Sequence, residues 1–280
     1  MNKLIAVVFT LSILLTGCSS KFAYNNIDWL MYWYIDDYVE LDKSQKSLLD
    51  GHVEQWMHWH RQDELSEYKT HLETVYQQVS AGHVSKAQWL NHFEEGKQHW
   101  VRFRDHVSPE LVNLAPKLTD EQVNDLFAKI QKQNEERIEK RADRTFDERL
   151  EKNIEDTQDN VKEFIGKLSK AQKEIVVNYA DDFKSSFDLW MDYRQRIQLA
   201  AYDMLLNSRH EEGFESSFLA LLSHPERYQS EELTAISAHN NQVYASMLEA
   251  LGQSLSPKQK KKALNEIEDL IEDISDLQED

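Results

Sequence analysis

The 280-residue chain has one cysteine, four prolines and seven glycines. A single thiol excludes an internal disulfide framework and a multi-cysteine metal site. So little proline and glycine leaves too few turn residues for a many-stranded β protein and favours long helices. Positive charge is scarce: 32 Lys and Arg stand against 50 Asp and Glu, a net charge of −18. General nucleic-acid binding is excluded by that balance, because phosphates need cations to neutralise them. Enzyme signatures are missing too. There is no Gly-x-Ser-x-Gly, no His-Glu-x-x-His and no phosphate-binding glycine loop, so no catalytic residue is nominated. Among so many carboxylates no single pair stands out as suited to glycan cleavage.

What is there begins with an address. Lys3 precedes an apolar run over residues 4–15. Twelve residues are too few for a membrane span, which needs about 20. The run leads into Leu15, Thr16, Gly17 and Cys18. This resembles the bacterial lipobox, which implies cleavage before Cys18 and acylation of its sulfur, the only cofactor-like group expected. On that reading residues 1–17 are a lipoprotein signal peptide, and residues 18–280 form one helical periplasmic domain. Several acyl chains on one cysteine hold far better than one. Ser19 and Ser20 follow the cysteine in place of the aspartate that retains such proteins at the inner membrane. The resemblance therefore implies an outer-membrane protein that faces the periplasm.

An aromatic stretch comes next: Tyr24, Trp29, Tyr32, Trp33, Tyr34 and Tyr38. Ile27, Leu30, Met31, Tyr34, Tyr38 and Leu41 recur at helical spacing. Rings so close to an anchor can sit at the headgroup level. The continuing periodicity predicts instead that this is the first helix of the core.

A five-residue pattern then recurs as Leu41-Asp42-Lys43-Ser44-Gln45, Leu118-Thr119-Asp120-Glu121-Gln122, Leu168-Ser169-Lys170-Ala171-Gln172 and Leu255-Ser256-Pro257-Lys258-Gln259, with a looser copy at Val84-Ser85-Lys86-Ala87-Gln88. Each reads as a capping box. The Asp, Ser or Thr caps a helix and the Gln three residues on reaches back to the cap N–H. Pro257 falls at the first helical position, where its missing N–H costs nothing. Five helix starts are thus predicted. A faint duplication is also visible, since Trp56-Met57 follows Gln45 as Trp190-Met191 follows Gln172; coincidence accounts for it as well.

Stops are read at Gly82, at Ser108-Pro109 with Ala115-Pro116 bracketing a connector, at Gly213, at His224-Pro225 and at Gly252. Residues 117–165 contain neither Gly nor Pro. Their charged middle predicts a long solvated helix, or a protruding hairpin that turns near residues 142–145. The last helix carries Leu264, Ile267, Ile271, Ile274 and Leu277 on one face and acids on the other. The expected fold is all-α: an elongated antiparallel helical bundle of about six to eight helices with a long charged central helix or hairpin.

Tyr24-Asn25-Asn26-Ile27-Asp28-Trp29-Leu30, Trp33-Tyr34-Ile35-Asp36-Asp37-Tyr38, and Trp59-His60-Arg61 with Glu64-Leu65 resemble a family of uncharacterised proteobacterial outer-membrane lipoproteins. That resemblance implies fold and address, and no activity. The Leu-Thr/Ser-x-x-Gln repeats are similar to those of the Spy-like periplasmic chaperones, which implies an all-helical protein that cradles unfolded clients.

Three residue groups are candidates for a site. His60, Arg61 and Glu64 are expected to form a buried polar network, with Arg61 pairing an acid on another helix. The His60, Glu64, Glu67, His71 ladder is too long for one metal ion, and His92, His99 and His106 lie about 10 Å apart in steps of seven. No metal is therefore assigned. Arg137, Lys140, Arg141 and Arg144 form a basic stripe that could meet an acidic partner, an anionic lipid or a glycan, or could pair within its own helix. The expected function is non-enzymatic protein binding, as a scaffold or a chaperone, with an envelope protein or unfolded clients as partners and no nucleic acid. The alternative is a hydrolase of cell-wall or lipid material, recognisable by a deep pocket with converging carboxylates.

Overall fold

The computed structural model describes residues 23–279, so residues 15–18 and the signal peptide lie outside it. The described chain is all-α, a helical bundle with eleven α-helices. That is more than the six to eight expected, because two of the long segments are broken by short irregular turns. The helices are α1 (Ile27–Ile35), α2 (Lys43–Trp59), α3 (Leu65–Ala81), α4 (Lys86–Leu114), α5 (Asp120–Ala142), α6 (Phe146–Ile165), α7 (Lys170–Ala180), α8 (Phe187–Asp203), α9 (Phe214–Ser223), α10 (Glu231–Gln253) and α11 (Pro257–Glu279). No helix of the described residues is long and apolar enough to cross a membrane.

The predicted starts are in place. Asp42, Ser85, Thr119 and Ser169 each cap a helix, and the N–H of each donates the reciprocal bond to the side-chain oxygen of the Gln of its box. Ser256 and Gln259 exchange the same bonds at 3.3 and 3.1 Å. The boxes also dock in pairs. The Gln45 and Gln122 amides bond to each other at 2.9 and 2.7 Å. Those of Gln172 and Gln259 do so at 3.0 and 2.9 Å. Each pair then reaches a carbonyl beyond itself, Gln45 to Lys117 and Gln259 to Lys167. An amide has both a donor and an acceptor, so two facing glutamines satisfy one another while each serves its own cap. Two box pairs arranged alike favour duplication over coincidence.

Helix α4, about 44 Å long at 1.5 Å per residue, packs against α2, α3, α9 and α10. It runs through Pro109, where a connector was expected. Proline deprives the Asp105 carbonyl of its donor, yet the helix persists because Val107, Ser108 and Val112 on either side of the proline are buried. The connector is instead the short turn Ala115–Lys117. The main apolar cluster gathers Val112, Val123, Leu205, Phe214, Phe218 and Leu221. A second joins Leu65 of α3 to Ile274 and Leu277 of α11, so the C-terminal helix is docked with its acids outward.

Two expectations need correction. The long segment breaks between Ala142 and Phe146, but α5 packs on α8 and α6 on α7 and α11. The two arms therefore do not pair as a hairpin; each finds a separate apolar partner. Helix α1 is not a core helix. Trp29, Trp33 and Tyr34 are 61%, 66% and 60% exposed. Its other face is only half-buried, fastened to α2 by hydrogen bonds from Tyr32 to the Lys46 carbonyl and to Asp50.

Candidate functional site

Between α2 and α3 the helix widens into a π turn over His60–Glu64, closed by the Leu65 N–H bonding to the His60 carbonyl. Such turns re-aim side chains and often mark functional positions. Here Glu64 points inward and Arg61 is half-buried. Glu64 is 1% exposed. Its carboxylate takes both nitrogens of Arg102 on α4, Nε at 2.8 Å and Nη2 at 2.9 Å, and lies 2.8 Å from His99 Nδ1. Burial alone would raise this carboxyl, but the bonds from His99 and Arg102 outweigh it and hold it below the usual carboxylate range. The Glu64 bond raises the Arg102 guanidinium in turn.

From Glu64 a chain of imidazoles runs along the α3–α4 seam. His99 Nε2 is 3.1 Å from His71 Nδ1, His71 Nε2 is 3.0 Å from His92 Nδ1, and His92 Nε2 is 2.9 Å from Gln78 Oε1. Burial pushes His71 down to about 4, helped by His92 and His99, and lowers His92 too. Neutral rings each donate one proton and accept one. Gln78 Oε1 only accepts, so His92 Nε2 donates to it; His71 Nε2 then donates to His92 Nδ1, and His99 Nε2 to His71 Nδ1. His99 Nδ1 faces the accepting Glu64 carboxylate and, at 2.6 Å, the donating Arg102 Nη2. The bonds from His99 to Gln78 therefore run one way, set by the Gln78 oxygen.

Gln78 also lines a surface cavity of about 440 Å³, with Gln77, Ala81, Gly82, His83 and Gln88. The cavity wall holds amides and one histidine and no carboxylate. Among the described residues no group of three or more His, Cys, Asp or Glu is arranged to hold a metal ion. The rings hydrogen-bond in series and do not converge on a point.

The expected network is thus redistributed. Glu64 joins His99 and Arg102. His60 accepts or donates with the Tyr24 hydroxyl at 2.9 Å, and burial lowers it to about 4. Among the described residues no acid is seen to pair with Arg61; it donates to Asn25 Oδ1 at 2.9 Å and lies over the Tyr24 ring. Arg102, His99, His92 and Gln78 were missed as members of one network, although the sequence placed His99 and Arg102 one turn apart on α4. The remaining His106 stacks on Trp59 with centroids 3.8 Å apart.

The basic stripe is also divided. Arg141 is tied down, donating to Ser185 Oγ at 2.7 Å and covering the Phe187 ring. Lys140 is exposed, 3.8 Å from Glu136. Arg144 is exposed past the end of α5, and its carbonyl is bonded by Arg149. Arg137 is half-buried one turn beyond Gln133, which accepts a bond from Tyr38 at 2.8 Å. Two apolar side chains of this stretch of chain are exposed, Ile138 at 43% on another face of α5 and Phe146 at 67% just after Arg144. Phe146 opens α6 behind a capping box of Thr145 and Glu148, a start the sequence reading lacked because its third residue is Glu and not Gln. Compared with known families, residues 37–234 match DUF6279, a family of unknown function. No curated protein matches, and no solved structure does.

Proposed function

The chain belongs to DUF6279, and for this member we propose the role of a lipid-anchored envelope protein that binds other proteins and catalyses no reaction. Acyl chains on Cys18 would hold it at the periplasmic face of the outer membrane, an address supported by the lipobox resemblance at Leu15, Thr16 and Gly17 and by Ser19 and Ser20. The observation that carries the binding role is the apolar and cationic surface at the α5–α6 turn. Phe146 is exposed at the start of α6, two residues past the exposed Arg144, with Lys140 one turn back on α5. Binding energy in protein interfaces concentrates on a few aromatic and arginine side chains. Flanking cations select an acidic partner and speed the encounter. The partner is accordingly an acidic protein surface with a pocket for the Phe146 ring.

A discrete patch of this kind suits a scaffold. A chaperone, which the Spy-like resemblance would imply, needs a broad apolar face for many clients. Leu199 of α8 and Val177 of α7 are exposed as well, and they are the observation that keeps this second version in play. A hydrolase would need paired carboxylates in a hollow, and the cavity beside Gln78 offers none. Aggregation of an unfolded client in the presence of the protein separates the two versions. Suppression below one protein per client supports a tethered chaperone; a client that aggregates unchanged leaves the scaffold.

A further inference from the structure

We propose that α1 lies in the headgroup layer of the bilayer, with Trp29 and Trp33 as its inserted face. The inference rests on the anchored reading of Cys18 above and adds to it a second, non-covalent contact with the same membrane.

The two rings are four residues apart and so share one helix face. They are the exposed members of seven tryptophans; the other five are partly buried. Each indole would remove about 150–250 Å² from water if covered. The face is held in place, not left loose. Ile27, Leu30, Met31 and Ile35 on the far side of α1 are half-buried, and beside the tryptophans Tyr32 bonds to α2, Asp36 pairs with Lys46 at 3.2 Å, and Tyr38 bonds to Gln133 of α5. The helix is thus fixed to the body with its tryptophans turned outward.

Chain length selects the occupant. Residues 23–25 are helical and lead into α1 at Ile27. Ala23 is five residues past Cys18, which at full extension spans at most about 18 Å. If the Cys18 acyl chains are in hydrocarbon, Ala23 lies within that radius of them, and α1 begins four residues further on. The headgroup region adds roughly 5–8 Å on each side of the hydrocarbon core, so α1 starts within reach of that layer. Tryptophan and tyrosine suit that layer because the ring is covered while the N–H or O–H stays wet. The acids Asp36 and Asp37 fall at the end of α1 farthest from the anchor, where a tilted helix keeps them in water. Two contacts, one covalent and one aromatic, would fix which face of the bundle looks into the periplasm.

The test uses the full acylated protein in vesicles of phosphatidylcholine and phosphatidylglycerol, with acyl chains either ordinary or brominated near the headgroup. Flotation with the vesicles reads the anchor, and tryptophan quenching by bromine reads α1. The expected result is flotation with quenched emission. Trp33→Phe, which keeps an apolar ring but removes one reporter, should lose about half of the quenching, whereas Trp33→Asp should also lift Trp29 and lose nearly all of it. Flotation with equal emission in both lipids, or equal quenching in the two variants, overturns the inference and leaves the anchor standing. Failure to float overturns the anchor and the inference with it.

Discussion

The side-chain amides of Gln172 and Gln259 donate to each other at 3.0 and 2.9 Å, joining two helix starts 87 residues apart. Each glutamine also bonds back to the cap of its own helix. One side chain therefore serves local capping and tertiary docking together.

That double duty predicts unequal losses. Gln172 is 1% exposed, and replacing it by alanine removes both bonds of the glutamine pair as well as the cap bond, at a cost of about 1–3 kcal/mol beyond the cap itself. Gln88 bonds within its own box, so Gln88→Ala should cost only about 1 kcal/mol. Urea unfolding of both variants measures the difference. Equal losses would show that the glutamine pair adds nothing to the caps.

Removing the buried carboxylate should be far more damaging than removing the cation next to it in sequence. Glu64→Ala takes the acceptor from Arg102 and His99; since the Arg102 side chain is 37% exposed and regains water, the loss is about 1.5–3 kcal/mol. Arg61→Ala removes an exposed bond to Asn25 and should cost under about 1 kcal/mol. The reverse order in a thermal melt would restore Arg61 as the structural partner.

The imidazoles predict a stability that depends on pH with a definite sign. His60 and His71 are lowered from 6.5 to about 4, in each case chiefly by burial. As pH falls below 6.5 the unfolded chain takes up protons that the folded chain refuses. Stability is full above that pH and declines down to about 4, where the folded rings protonate too. For His60 the decline is on the order of 3 kcal/mol. Urea midpoints measured from neutral to mildly acid pH should drop steadily, and His60→Phe should flatten the slope. A level profile would contradict the buried neutral rings.

Anchoring and partner capture should separate by mutation. Cys18→Ala should release the protein from membranes except for the weaker hold of α1, which high salt and dilution would remove. Continued pelleting after such washes would sink the acyl anchor.

Much of the fold was legible because helix starts are local chemistry. A cap and a glutamine three residues on suffice to mark Asp42, Ser85, Thr119, Ser169 and Ser256. The stop at Pro109 misled because proline reports a missing donor and says nothing of the burial at Val107 and Val112 that carries the helix past it. Periodicity likewise identified the apolar face of α1 but not whether protein covers it. At the candidate site, burial of Glu64 was readable from its apolar setting. Its partner was not, because Arg102 is 38 residues away and a π turn decides which side chain faces it. Only geometry could divide the basic stripe into a fastened Arg141 and an exposed Lys140 and Arg144.

The most direct test of the proposed role is photocrosslinking in intact cells from a reactive amino acid placed at Phe146. The account predicts a discrete adduct with one acidic envelope protein, lost when Lys140 and Arg144 are both changed to Glu, while the melting temperature stays within a degree or two, as for substitutions at exposed sites. No adduct, or an adduct that survives the charge reversal, would contradict it.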